Sequence, residues 1–294
     1  MPGAGAVRAI RGRIRSFESA AKVTTAMQLV AASKMRRAQD RALASRPYAD
    51  QMRGVLAQLP GYAAGADASS LHPLLQQRPV KNFALLHITA DRGLAGGLNS
   101  NMNRAGAGVA LEHQPHVESV SIVAVGRKGR DFFRRSGFPL LAEFTQLGDY
   151  PGLDQILPIA RIIIDDYVSG AIDQVFIGYQ RFVNTAIQRP TVRQILPVTP
   201  PEGEAAQRVD FLFEPSPEQL LEVLLPRYIE MQIYEAVLDA AASEQSARMV
   251  AMRAATDAAN EMVSDLTLTY NKARQELITG ELLDIVGGTA ALEA

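Results

Sequence analysis

The stretch RYIEMQIYEAVLDAAASEQSARMVAMRAATDAANEMVSDLTLTYNKARQELIT, Arg227 to Thr279, contains neither Pro nor Gly, and its reading decides the fold. Apolar residues recur three and four apart along it, at Ala247, Val250, Ala251, Ala254, Ala258, Met262, Leu266, Tyr270, Ala273 and Leu277, which is the spacing of one helix face. A wholly helical segment of this length runs about 80 Å, wider than a compact domain. Its apolar stripe needs a helix partner, or one face stays wet. Ten alanines between Ala236 and Asn260 let two backbones approach along a slim seam.

The partner is expected at the opposite end of the chain. Arg13 to Arg46 is also free of Pro and Gly, with apolar residues at Ile10, Ile14, Phe17 and Ala21, then Val23, Met27, Val30, Ala31, Met35, Ala38 and Ala42. Pro47 is expected to end this helix, because a proline removes a ladder hydrogen bond. Pro226 is expected to mark the start of the long C-terminal helix, and Gly280 to interrupt it beyond Thr279. Residues 1–46 carry ten Arg or Lys against Glu18 and Asp40, a balance that resembles a transit peptide. The unbroken helical pattern past Arg41 and the lack of a small-residue cleavage site read instead as mature protein.

The middle of the chain has a different period. Phe83–Ile88, Val117–Val125, Gln174–Phe182, Val192–Val198 and Val209–Phe213 are short runs rich in β-branched and aromatic residues, bounded by Gly, Pro, Asn or Asp. Helices are expected over Gly97–His113, Arg127–Arg135 and Leu153–Val168, giving the alternation of a parallel sheet with crossover helices. Gly61–Ser70 and Pro197–Gln207 read as loops. The expected class is α/β: a long antiparallel coiled coil of N- and C-terminal helices, residues 1–60 and 215–294, with an inserted Rossmann-like α/β domain at residues 76–214.

Composition narrows the function. Thirty basic and 31 acidic residues leave a formal net charge of −1, so no global charge favours nucleic acid or an anionic surface. The absence of cysteine excludes disulfides, thiolate metal sites and a Cys nucleophile. No apolar run approaches the roughly 20 residues that span a bilayer.

Motifs that could carry chemistry do not assemble into an active site. DRGLAGGLN, Asp91 to Asn99, follows a strand, but Gly93, Gly96 and Gly97 lack the first, third and sixth spacing of a dinucleotide turn, and no Lys-Ser or Lys-Thr pair makes a phosphate loop. A tight strand-to-helix turn is the expectation. GRKGR, Gly126 to Arg130, places three cations at a helix start, where the helix dipole disfavours them, and reads as a solvated surface. His72, His87, His113 and His116 show no ligand spacing, and His87 lies inside an apolar strand. Neither a catalytic residue nor a metal or cofactor is expected.

Three stretches resemble the γ subunit of bacterial rotary ATP synthases: KVTTAMQLVAASKMRRAQDRA, Lys22 to Ala42; ITADRGLAGGLN, Ile88 to Asn99; and Ser243 to Ala291, with SEQSARMVAMRAATDAANEM, YNKARQELIT and ELLDIVGG. The resemblance implies a non-catalytic central rotor shaft, peripheral on the cytoplasmic face of the inner (plasma) membrane. Its coiled coil would enter a ring of α and β subunits, and its α/β domain would meet the ε subunit and the c-ring. It further implies that Arg274 and Gln275 contact the β subunit, as do Met27, Lys22, Lys34 and Arg104. Leu282, Ile285 and Val286 would form an apolar tip in a hydrophobic sleeve, and Phe213 and Glu214 would lie at the c-ring contact. Two other classes remain open on the residues alone: a Rossmann-like nucleotide-binding enzyme with helical dimerisation arms, and a coiled-coil scaffold.

Overall fold

The computed structural model describes residues 4–62, 72–199 and 217–293. Helix α1 spans Ala4–Tyr62, strand β1 Asn82–Ile88, α2 Leu98–His113, β2 Ser119–Val125, α3 Arg127–Arg135, β3 Leu140–Phe144, α4 Leu153–Val168, β4 Gln174–Phe182, β5 Gln188–Leu196 and α5 Pro217–Glu293. The chain divides into two units, one of Ala32–Arg248 and one of the end segments Met1–Ala31 and Met249–Ala294.

In the larger unit five strands lie in the order β3-β2-β1-β4-β5. The first four are parallel and β5 turns back antiparallel against β4. This is the doubly wound arrangement that the strand and helix alternation implies, with both sheet faces covered. One face packs against α4 and the part of α5 from Leu221 to Val237, with Ile156, Ile159, Ile163, Tyr167, Leu225, Ile229 and Ile233 buried beside Leu86 and Ile177. Met52 and Leu56 of α1 join this core. The other face carries a second cluster of Phe83, Leu85, Ile122 and Phe133.

His87 belongs to β1 and is fully buried. Its Nε2 lies 2.9 Å from Asn103 Oδ1, so Nε2 carries the proton, while Nδ1 has no partner among the described residues. Burial drives its pKa down from 6.5 to about 4, against a smaller raising effect of the Asn103 bond. Two helices can close on the ring only because Gly106 and Gly129 face it: a Cβ there would sit 2.6 and 2.7 Å from ring atoms. The buried histidine is therefore a packing element and not a ligand.

Several helix ends differ from the sequence expectation. Pro47 does not end α1, which runs on to Tyr62; Ala49, Met52 and Leu56 are buried beyond the proline, and that packing offsets one lost ladder bond. Pro226 lies inside α5, which begins at Pro217, and Leu221 and Leu225 before it are core residues. Gly280 is likewise inside α5. Strand β3 went unread because Leu140–Phe144 holds only five residues beside a glycine-proline turn signal. The run Val209–Phe213 lies outside the described residues.

In the smaller unit α1 and α5 run antiparallel. Thr24 Oγ1 lies 2.6 Å from Thr256 Oγ1, and Arg11 sits over the Tyr270 ring at 5.9 Å; the two pairs step in opposite directions along the chain. Ala21, Ala259 and Ala273 are buried in this unit, at 8, 7 and 7% exposure. The half-buried stripe of α5 runs through Ala255, Thr256, Val263, Leu266, Tyr270 and Leu277, whereas Val250, Ala254, Ala258 and Met262 are exposed. On α1, Ile10, Ile14 and Phe17 lie on the covered side as expected, while Val23 and Val30 do not. Adjacent alanines at 254–255 and 258–259 make two stripes almost equally apolar, so periodicity alone cannot choose between them.

Candidate partner interface

The helical pair leaves large apolar side chains outside its seam. Leu29, Leu268, Leu282, Leu283, Ile285 and Val286 are each more than half exposed. Fully covering one such side chain is worth about 1.5–3 kcal/mol, and four of them, Leu282, Leu283, Ile285 and Val286, fall within five residues of α5. Continuing the register set by Thr24 with Thr256 and Arg11 with Tyr270, Ala4 of α1 falls opposite roughly Leu277. Leu282, Ile285 and Val286, exposed 57, 64 and 62%, lie past that point on α5.

Polar residues of the same unit also face outward. Arg274 and Gln275 are both exposed, and Gln275 borders a shallow hollow with Lys272, Glu276 and Thr279. Lys22 is exposed and Met27 is half-buried on α1. Arg274 offers a planar fork of donors and Gln275 an amide, both suited to a carboxylate or backbone acceptor.

Lys34 and Arg104 belong to the larger unit. Arg104 is exposed on α2. Lys34 is half-buried, with Nζ 2.7 Å from Asp149 Oδ2. One and two turns further along α1, Arg37 and Arg41 lie over the Tyr150 ring at 5.8 and 5.1 Å, and Arg41 Nη1 donates to the Tyr150 carbonyl at 3.1 Å. The loop that follows β3 is also held by Asp91, whose Oδ2 accepts the backbone N–H of Gln146 at 2.8 Å while its Oδ1 accepts that of Arg127, at the start of α3, at 2.9 Å. Sequence reasoning missed Asp149 and Tyr150, because the strand before them was unread. Phe213 and Glu214 lie outside the described residues.

The glycine-rich turn between β1 and α2 is built as a tight connection. Gly96 has a φ of +57°, and Leu94, a non-glycine residue, has +62°. Asn99 Oδ1 accepts the Ala90 N–H, and Arg248 of α5 donates to the Gly93 carbonyl at 3.2 Å while pairing with Glu244 at 2.6 Å. Doubly wound sheets place ligands outside the carboxyl ends of their strands. Here Val237, Ala240 and Glu244 of α5 line that position and leave a cavity of about 60 Å³, far below the size of a nucleotide site. In the GRKGR segment Lys128 is exposed, while Arg130 reaches Asp131 at 2.8 Å and Arg127 lies 3.7 Å from Asp91. Two of the three cations are thus paired within the chain and not simply solvated. No described helix is long and apolar enough to cross a membrane, and the described residues hold no cluster of three metal-ligating side chains.

Comparison with known proteins gives one consistent result. A family model described as ATP synthase matches residues 6–292. The ATP synthase gamma chain of Dehalococcoides mccartyi is 54% identical over 286 residues, covering 97% of this chain and 99% of the relative. That of Roseiflexus castenholzii is 51% identical, covering 97% and 98%. Among solved structures, a chain of the Euglena gracilis mitochondrial ATP synthase covers 99% of this chain and 95% of its own length with a TM-score of 0.70 at 21% identity. A chain from the Tetrahymena thermophila mitochondrial ATP synthase central stalk and c-ring covers 79% and 99% at 0.59 and 24% identity. At such identities the structural likeness speaks for the fold.

Proposed function

We propose, from the premise that this chain belongs to the ATP synthase γ chain family, that it is the rotating central shaft of the enzyme. As a γ chain it is a non-catalytic subunit of a membrane-associated synthase. The observation that carries the rotor reading is the helical pair: its most deeply buried positions are mainly alanines, with Met252, while Leu29, Leu268, Leu282, Leu283, Ile285 and Val286 stand on its outer surface. A free-standing bundle would bury them. A shaft sheathed by a ring of α and β subunits has them covered by that ring, through contacts with no directional bonds and hence low barriers to turning.

On this reading the α/β domain meets the ε subunit and the polar loops of the c-ring, with Phe213 and Glu214 near the latter. The chain is peripheral, on the cytoplasmic face, and reaches the membrane only through the complex. Leu282, Ile285 and Val286 form the bearing at the tip. Arg274 and Gln275 engage one β subunit, supported by Lys22, Met27 and Arg104. Lys34 acts there through its exposed edge or by leaving Asp149. Mechanism follows from asymmetry: a shaft that pressed three catalytic subunits equally would shift none of their equilibria, so the different faces of the helical pair must discriminate among them.

The test is ATPase turnover of α and β subunits assembled with this chain or with its R274A/Q275A form. Loss of two charge-assisted or amide contacts made during rotation is expected to lower turnover roughly tenfold or more while assembly persists. A chain that fails to enter the ring sinks the rotor reading. A double mutant indistinguishable from the parent removes Arg274 and Gln275 from the contact and leaves the rotor reading standing.

A further inference from the structure

The geometry points to the β4–β5 hairpin as the strut by which the α/β domain holds α5 against turning about its own axis, with Ser243 and Ser246 as positioning residues on the helix and Gln188 on the hairpin. This assignment deepens the rotor reading and rests on it. Ser243 and Ser246 have no exposed surface, and Gln245 between them has 3%. Serine inside a helix is neutral to unfavourable, and a buried hydroxyl costs free energy unless it is bonded. Alanine would serve for packing alone, as Ala242 does at 2% exposure.

Both hydroxyls bond to another part of the fold. Ser243 Oγ donates to the Gln180 carbonyl of β4 at 3.0 Å, and Ser246 Oγ to the Thr185 carbonyl of the β4–β5 connection at 2.7 Å. Gln188, the first residue of β5, donates from Nε2 to the same Thr185 carbonyl at 3.1 Å and to Ser246 Oγ at 3.3 Å, closing a triangle between hairpin and helix. Farther along α5, by contrast, Thr267 and Thr269 donate to carbonyls of their own helix four residues back. A hydroxyl bonded back into its own helix holds no neighbour in place. One bonded to a strand or hairpin carbonyl fixes the helix against the sheet.

Arg248 adds a third bond from another side of the helix. It begins about 140° round the axis from Ser243 and donates to the Gly93 carbonyl of the β1–α2 turn at 3.2 Å. Earlier along α5, Leu221, Leu225, Ile229 and Ile233 hold the helix by apolar contact, which has no preferred direction about the helix axis. The directional bonds of Ser243, Ser246 and Arg248 supply what that contact lacks. They stand at the end of the larger unit, whose last residue is Arg248, while α5 itself continues to Glu293. A load that enters at the domain and leaves along α5 crosses this point. The polar fastening of α1 is the weaker one: Lys34 and Asp149 are 26 and 38% exposed, so water competes for their bond.

The experiment compares the whole synthase in sealed vesicles, carrying the parent chain, the Ser243→Ala, Ser246→Ala double variant or Gln188→Leu. ATP hydrolysis and ATP-driven uptake of the coupling ion, proton or sodium, are read together. A helix that slips in its seat turns in the ring while the domain lags. Ions moved per ATP hydrolysed are therefore expected to fall roughly twofold or more in both variants, with hydrolysis kept. A ratio equal to the parent's, or hydrolysis and uptake lost in equal proportion, would overturn the strut. A parent that hydrolyses ATP and moves neither ion sinks the rotor reading, and the strut with it. The chain has no cysteine, so a Thr185→Cys, Ser246→Cys variant offers one pair in it for a short bifunctional thiol reagent. Bridging that pair is expected to raise the ratio back to the parent value. Should the double alanine variant fail to assemble, this pair decides: a ratio that does not rise on bridging overturns the assignment.

Discussion

The α/β domain and the helical pair solve opposite problems with the same alphabet. The domain hides its largest side chains: Tyr167, Phe83, Phe133 and Ile159 have essentially no exposed surface. The helical pair buries mainly alanines, with Met252, and leaves Leu29, Leu268, Leu282 and Leu283 more than half exposed. Area removed from water stabilises a fold in proportion to its apolar content, so the domain holds most of its stabilisation within itself. On the proposed reading, the helical pair holds much of its exposed apolar surface for the subunits around it. Where a chain keeps its large apolar residues therefore tells which part is finished alone and which part is finished by assembly.

Truncating one residue of each kind gives the widest separation. Ile159→Ala should cost about 2–5 kcal/mol of unfolding free energy in the isolated chain, as cavity-forming changes in a packed core do. Leu282→Ala should cost under about 0.5 kcal/mol there, since its side chain is 57% exposed. Urea unfolding of both variants checks this. A comparable loss at Leu282 would break the contrast, because it would mean the outer face is already packed in the free chain.

Protonation sharpens the picture of the domain core. His87 stays neutral in the folded chain down to about pH 4, whereas in the unfolded chain it takes its proton near 6.5. The unfolded state therefore binds more protons between these values, and stability falls as pH drops from 6.5 towards 4. The full effect is roughly 3 kcal/mol. Comparing the pH dependence of unfolding for the parent and His87→Gln isolates it; parallel curves from pH 7 to 4 would show that the buried ring titrates normally.

The smallest expected effect concerns the surface fastening of α1. Lys34 and Asp149 are 26 and 38% exposed, so solvent screens their attraction. A double-mutant cycle on Lys34→Ala and Asp149→Ala should return a coupling of about 0.2–1 kcal/mol that weakens in high salt. A coupling several times larger would place this loop with the core and not with the surface.

Much of this was legible in the residues. The change of period from helical to alternating located the sheet and both long helices, and helices α3 and α4 fall where Arg127–Arg135 and Leu153–Val168 predict them. What failed did so for local reasons. Pro47 and Pro226 are helix breakers on propensity, yet flanking Met52, Leu56, Leu221 and Leu225 gain enough by burial to carry the helix across. The seam of α5 was misplaced towards Val250 and Met262, because neighbouring alanines erase the contrast on which periodicity depends. Arg274 and Gln275 are exposed, as most helix-surface polar residues are; the family motif, and no feature of spacing, singles them out. The tie between Ser243 and the Gln180 carbonyl was invisible in advance, since it joins a strand to a helix more than 60 residues away along the chain.

The alanine seam has a further consequence. Ala21, Ala259 and Ala273 have no side-chain rotamers to exchange. A seam of leucines can answer a twisting load by hopping between packings, storing the load in discrete steps and releasing it as heat. The alanine positions within a seam have no such steps. They can only strain and recover, so over its alanine stretches this helical pair responds to load as a spring and not as a ratchet.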